Sequence, residues 1–138
     1  MEDLIPGITG QESTTVGKGN TATEVGSGSV PVFATPMLVA LMETAAINAV
    51  EGKLPPGQTT VGTRVEISHT AATPRGMTVT AVAELEEVDG RRLVFRVTAS
   101  DDAGPVGHGR HERFIIDLAR FLAKVEEKKA VTERRPAQ

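Results

Sequence analysis

The stretch from Thr35 to Leu54, TPMLVALMETAAINAVEGKL, constrains the fold of this chain more than any other. Thr35 can accept a hydrogen bond from a first-turn amide, and Pro36 brings a φ already suited to the first helical turn, so the pair predicts a helix start. Gly52 and then Pro55-Pro56 predict its end. Between them Met37, Leu38, Val39, Ala40, Leu41, Met42, Ala45, Ala46, Ile47, Ala49 and Val50 cover nearly every direction around a helical wheel. A helix apolar all round is a buried helix. Glu43 is its one charged residue before Glu51, with Val39 and Ile47 a turn away on either side. An ionised carboxylate in that setting needs a partner, which makes Glu43 the first candidate functional residue.

Beyond the helix the chain reads as sheet. Thr59 to Thr70 alternates with period two, placing Val61, Val65, Ile67 and His69 on one face and Arg64, Glu66 and Ser68 on the other. His69 therefore points with the aliphatic residues. Met77 to Val88 is a second strand with Met77, Val79, Ala81, Ala83 and Leu85 in phase, and Asp89-Gly90 is a hairpin signal. Arg91 to Ser100 carries Leu93, Phe95, Val97 and Ala99 on one face, and Val106 to Asp117 makes the last long strand. Ahead of the helix, residues 1–10 read as a loose lead-in, Glu12 to Lys18 as a first strand, and the Gly/Ser-rich run from Asn20 to Pro31 as a flexible connector or a lid. Leu118 onward begins as a short amphipathic piece and ends, over 125–138, as a charged tail. One strand, one buried helix and four strands without βαβ alternation is an α+β order in a single domain spanning 1–138. Strands of ten residues reach roughly 33 Å against roughly 27 Å for the helix, so an antiparallel sheet of about five strands can wrap it. One such sheet cannot cover a helix on every side, which predicts a homodimer.

Composition narrows the function classes. The chain has no cysteine, which removes disulfides and thiolate metal sites, and its start lacks the basic and apolar segments of a secretory signal. The apolar part of the helix is short for a membrane span and carries Glu43, Thr44 and Asn48. The expectation is a soluble cytoplasmic protein. A formal charge of −3 with scattered Lys and Arg, and four Phe as the only aromatic residues besides His, argue against a nucleic-acid partner.

Thr35 at the helix start, Glu43 in its middle and His69 inward on the next strand supply a hydroxyl, a carboxylate and an imidazole, the group types that acyl transfer uses. Amides of Met37 and Leu38 at the helix start are candidate donors to a developing oxyanion, whereas Pro36 has none to give. His108 and His111 lie three apart on the last predicted strand and face opposite ways, so no metal site is expected. Arg75, Arg91, Arg92 and Lys124 read as surface charges with some suitability for phosphate, and Gly107 and Gly109 as points of close backbone approach or a bulge.

The runs VFATPMLVALMETAA, TVGTRVEISHTAATPRGMTVTAVAEL, GRRLVFRVTA and GHGRHERF resemble the hot-dog thioesterases of the fluoroacetyl-coenzyme A thioesterase type, over Val32 to Lys124. The resemblance implies a hot-dog fold, a homodimer, and hydrolysis of an acyl-CoA to a carboxylic acid and free coenzyme A, with no cofactor beyond the coenzyme A of the substrate; whether dimers pair further into a tetramer is left open by the sequence. It implies catalytic roles for Thr35, Glu43 and His69, and substrate binding or positioning by Gly62 and Arg113. The fluoroacetyl-specific member bears phenylalanine in its lid, where this chain has GSGSV with Phe33 as the nearby aromatic. A short or medium acyl group is therefore expected. Two alternatives share the fold: a non-catalytic acyl-CoA binding module used as sensor or carrier, and a hydratase acting on enoyl-CoA. The second typically pairs an acid with a His a few residues later on one loop and helix, and no such pair opens the helix here.

Overall fold

The computed structural model describes residues 3–133. Along the chain run β1 (Thr9–Thr15), α1 (Ala22–Val25), α2 (Thr35–Val50), β2 (Gln58–His69), β3 (Thr78–Asp89), β4 (Arg92–Asp101), β5 (Gly104–Asp117) and α3 (Leu118–Glu133). The strands form one antiparallel sheet in the order β1-β3-β4-β5-β2, the α+β hot-dog architecture. Alternation places Val79, Ala81, Ala83 and Leu85 of β3 and Leu93, Phe95, Val97 and Ala99 of β4 on the buried face, as the period-two reading requires. Against them α2 packs Leu38, Leu41, Met42, Ala45, Ala46, Ala49 and Val50. The small Ala45 and Ala49 let α2 lie directly on β1: a Cβ at Gly10 would collide with the Ala45 carbonyl and the Ala49 amide.

The sheet covers one side of α2. Within one chain Ala40 and Ile47 stay exposed and Val39 and Glu43 half-buried, the incomplete cover expected of a single sheet. The differences from expectation have local causes. β1 begins at Thr9 and stops at Thr15, because the Asn20 amide donates to the Thr15 carbonyl and its Oδ1 accepts from Gly17 N, ending the strand before Lys18. Most of the predicted lead-in is tied down, with Leu4 in the core and Gly7 N donating to the Leu85 carbonyl. The β3–β4 loop is Gly90-Arg91, one residue later than the Asp89-Gly90 signal, with φ 61° at Gly90. The charged segment after Val125 continues α3 to Glu133, and the rest of the predicted tail, 134–138, lies outside the described residues. α3 buries none of its residues. No helix among the described residues is long and apolar enough to cross a membrane.

One irregularity matters for the site. Gly62 pairs with Arg113 and Arg64 with Glu112, so Thr63 is an extra residue in β2. The bulge reverses the phase: Thr60 and Gly62 face inward before it, and Val65, Ile67 and His69 after it. Val61, expected with Val65 and Ile67, instead pairs with the exposed Phe114 on the outer face.

Candidate active site

The predicted constellation resolves into two clusters within one chain. In the first, Ala34, with φ −77° and ψ 139°, occupies the cap position of α2, and Thr35 is the first helical residue. Its hydroxyl makes no capping bond and meets Nδ1 of His69 at 2.7 Å, so the N-cap reading of Thr35 is corrected. His69 ends β2 opposite Gly107, where a Cβ would press on Leu38 and the Ser68 carbonyl. Burial pushes the His69 imidazole below its ordinary value, with the Ala71 backbone partly opposing. A neutral imidazole against a hydroxyl is the arrangement in which a ring nitrogen takes a proton from the attacking oxygen. Nε2 of His69 is buried and meets no hydrogen-bond partner within bonding distance among the described residues.

Beside this pair lies a pocket of about 350 Å³ walled by Ser27, Gly28, Ser29, Val30, Phe33 and Ala72. The Gly/Ser-rich connector is thus a wall of the site. It is anchored by α1 at its base, where Thr21 Oγ1 donates to Glu24 at 2.7 Å, Ala22 N donates to the Val32 carbonyl at 2.8 Å, and Arg75 pairs with Glu24 at 3.5 Å. The Met37 and Leu38 amides do not face this pocket as free donors. Both donate to the Ala34 carbonyl at 3.0 Å, closing the first turn. The amide of Thr35 itself, for which no backbone acceptor is found among the described residues, is the first-turn donor left for an oxyanion.

The second cluster surrounds Glu43. Eight residues of helix put it about 12 Å along the axis from Thr35, so the two do not meet within one chain. Glu43 faces the seam of β2 and β5, with Oε2 3.7 Å from Arg113 Nη1 and 4.0 Å from His111 Nε2. Gly62 makes the room: a Cβ there would stand 2.7 Å from Glu43 Oε2. Arg113 is 5 % exposed and well supplied with acceptors, Nε donating to Thr60 Oγ1 at 2.8 Å and Nη2 to the Thr60 carbonyl at 3.1 Å. Its Nη1 lies 3.0 Å from His111 Nε2, and His111 Nδ1 lies 2.8 Å from the Arg64 carbonyl. A carbonyl only accepts, so Nδ1 carries the ring proton and Nε2 accepts from Arg113. Burial pushes the His111 imidazole below its ordinary value; the Arg64 carbonyl opposes and the Arg113 charge reinforces the shift.

Of the residues marked in the sequence, Thr35 and His69 are brought together, Glu43, Gly62 and Arg113 are brought together, and Met37 and Leu38 are engaged elsewhere. Sequence spacing presents His111 only as a metal partner of His108, yet it is 1 % exposed and stands in the Glu43 cluster. Period two along β5 puts Gly107, Gly109, His111, Arg113 and Ile115 on one face, the signal that marks it. Gly107 and Gly109 are close approaches, since a Cβ at Gly109 would strike the β2 backbone. Arg92 is held by Glu112 at 3.0 Å and Glu87 at 2.8 Å, while Arg91 and Lys124 border a groove with Phe114 and Phe121 on the outer face.

Residues 16–119 match the family model described as fluoroacetyl-CoA-specific thioesterase. A fluoroacetyl-CoA thioesterase of Streptantibioticus cattleyicolor is 50% identical over 97 residues, covering 70% of each chain. The crystal structure of a mutant of the fluoroacetyl-CoA-specific thioesterase FlK superposes with a TM-score of 0.86 at 39% identity, covering 93% of this chain and 99% of the other. A Thermus thermophilus protein described as a thioesterase superfamily member superposes at 0.90 with 31% identity, covering 98% and 100%.

Proposed function

This chain belongs to the fluoroacetyl-CoA-specific thioesterase family, and from that membership we propose that it hydrolyses acyl-CoA thioesters to a carboxylic acid and free coenzyme A. The observation that carries the reading is the 2.7 Å contact between the Thr35 hydroxyl and the neutral His69 ring at the mouth of the pocket. Thr35 presents the nucleophilic oxygen, His69 takes its proton and returns one to the departing thiolate, and Glu43 is the carboxylate that serves the water step. The reaction consumes one water and needs no cofactor. Beside Val30 and Phe33, one wall of the pocket is made of the small residues Ser27, Gly28 and Ser29, which supports an acyl group larger than two carbons, in the short-to-medium range.

The active unit in this reading is a homodimer. Thr35, Val39 and Glu43 lie at i, i+4 and i+8, one stripe along the margin of α2 where Thr35 is exposed and Val39 and Glu43 are half-buried. If α2 packs antiparallel on its copy about a two-fold axis at Val39, Thr35 of one protomer comes opposite the partner's Glu43. β2 is an edge strand of 12 residues, and pairing with its copy about Val65 would set Arg64 against the partner's Glu66. The carboxylate that one chain holds about 12 Å away is then supplied by the other.

Thiol release from a panel of acyl-CoAs tests the reaction, and mixed dimers test the assembly. T35A and E43Q alone are each inactive. Unfolding and refolding them together regenerates about a quarter of the parent rate, because half of the dimers are mixed and each of those carries one complete site. A T35A and H69A mixture regenerates none. Parent-like turnover by E43Q refutes the catalytic assignment, and a T35A and E43Q mixture that forms heterodimers without recovering activity refutes the shared site.

A further inference from the structure

Resting on the reading that Glu43 is the catalytic carboxylate, we infer that His111 is its positioning residue: as a neutral ring with the proton on Nδ1, it accepts from Arg113 and so fixes the guanidinium that faces Glu43. Among the described residues Arg113 has three acceptors, Thr60 Oγ1, the Thr60 carbonyl and His111 Nε2. The first two hold one edge of the planar fork. The third is the only one that fixes Nη1, the nitrogen 3.7 Å from Glu43 Oε2. At that distance the pairing is a charge contact without a direct hydrogen bond, so the place of the cation depends on its other partners.

The position asks for a side chain that donates at one end and accepts at the other. The donor end meets the Arg64 carbonyl beside the β2 bulge, and the acceptor end meets Arg113. Neutral imidazole does both within one rigid ring, and Phe95 of β4 stacks on it with centroids 6.4 Å apart. Protonation destroys the arrangement. Nε2 becomes a donor aimed at a donor, and a second positive charge sits against the guanidinium in a buried place.

The charged groups around the ring pull in two directions. Arg113 on its own strand repels a proton, while Glu43 from α2 at 4.0 Å and Glu112, its neighbour in β5, attract one. Arg64 on β2 contributes its carbonyl here, its guanidinium being turned to Glu66 at 2.7 Å. On acidification Nε2–H replaces Arg113 as the partner of Glu43, and Nη1 loses its anchor. The acid limb of turnover thus carries a contribution from a residue that touches no substrate.

Two variants and one spectrum test this in the intact protein. His111→Gln keeps an acceptor near the Nε2 position but does not titrate; His111→Leu keeps similar volume and offers no acceptor. His111→Leu is expected to lower kcat by about 10–100-fold with KM within about twofold, and His111→Gln to stay within about threefold of the parent while flattening the acid limb. The ring ¹⁵N spectrum near neutral pH is expected to show the proton on Nδ1. Equal kcat losses in both variants that track their loss of melting temperature, or an unchanged acid limb in His111→Gln, would reduce His111 to a structural residue. A proton found on Nε2 overturns the inference outright. Should the parent release no thiol from any acyl-CoA, the thioesterase reading fails, and the ¹⁵N spectrum still decides whether His111 receives Arg113.

Discussion

Gly62→Ala separates positioning from folding at this site. The added Cβ would stand 2.7 Å from Glu43 Oε2, 3.2 Å from His111 Cε1 and 3.3 Å from Arg113 Nη1. His111 and Arg113 are buried and hydrogen-bonded, so they give by a few tenths of an ångström at most. The carboxylate is the end of a flexible side chain, 37% exposed, and it yields instead, retreating about 0.7 Å to reach ordinary contact. For folding this is cheap: about 1 kcal/mol, or a melting temperature lower by about 3–5 °C, partly offset by the smaller entropy of an unfolded chain with Ala for Gly. For catalysis it is not, because displacement of a reacting group on the scale of 1 Å costs up to about 100-fold, which sets the expected fall in kcat at about 10–100-fold. Gly10→Ala is the contrasting variant. Its Cβ meets the backbone of Ala45 and Ala49, which cannot move aside, so it destabilises the fold while leaving turnover per folded molecule intact. Thiol release and thermal melts on both variants make the comparison. Gly62→Ala with kcat within twofold of the parent would refute the claim that Glu43 must sit in the space that glycine leaves.

Ser29→Phe fills part of the 350 Å³ pocket; in a thiol-release panel the longest acyl chain accepted should shorten, with the shortest substrates within about threefold of the parent rate. Both His69 and His111 are pushed below the ordinary imidazole value of 6.5, so between their folded values and 6.5 the unfolded chain binds more protons and stability falls as pH falls through that window. The carboxylates of Asp101, Glu24 and Glu112, all held below their ordinary values by hydrogen bonds, add a second loss at more acid pH, and calorimetry from pH 7 to pH 3 should find both stages; a melting temperature flat to pH 5 contradicts the first. Thr73 is fully buried and donates to Asp101 Oδ2 at 2.8 Å, so Thr73→Val should cost about 1–2 kcal/mol in denaturant melts. It should also return the Asp101 carboxyl toward 3.8 in an NMR titration.

The core of the fold is legible in the sequence because its signals are local and repeated. Alternation marks the buried face from Val79 to Leu85 in β3, before the register shift beyond Leu85, and from Leu93 to Ala99 in β4, and Pro36 and Gly52 bracket α2 closely. α3 outruns its sequence signal because the apolar stripe of Leu118, Phe121, Leu122 and Val125 runs into Lys128 and Lys129 one turn later, and the second half, EEKKAVTE, offers no continuous apolar face to follow. A hydroxyl beside Pro36 fits a helix cap, which is why Thr35 looks like one; Ala34 holds the cap by its extended backbone, and the Thr35 hydroxyl meets His69, 34 residues away, a contact that no local pattern signals. The separation of Thr35 from Glu43 is available in the sequence, since eight residues of helix span about 12 Å whatever surrounds them.

Thr63 is the residue that alternation could not reveal, and both clusters depend on it. Gly62 and His69 are seven apart, and in a regular strand an odd separation puts two residues on opposite faces. One extra residue at Thr63 restores the parity, so that a single edge strand sets Gly62 under Glu43 and His69 beside Thr35 on the same inner surface. The same bulge reverses Val61, which simple alternation places inside. The misreading of Val61 and the assembly of the site therefore have one cause: the strand breaks its period where two functional groups, belonging to opposite phases, must share a face.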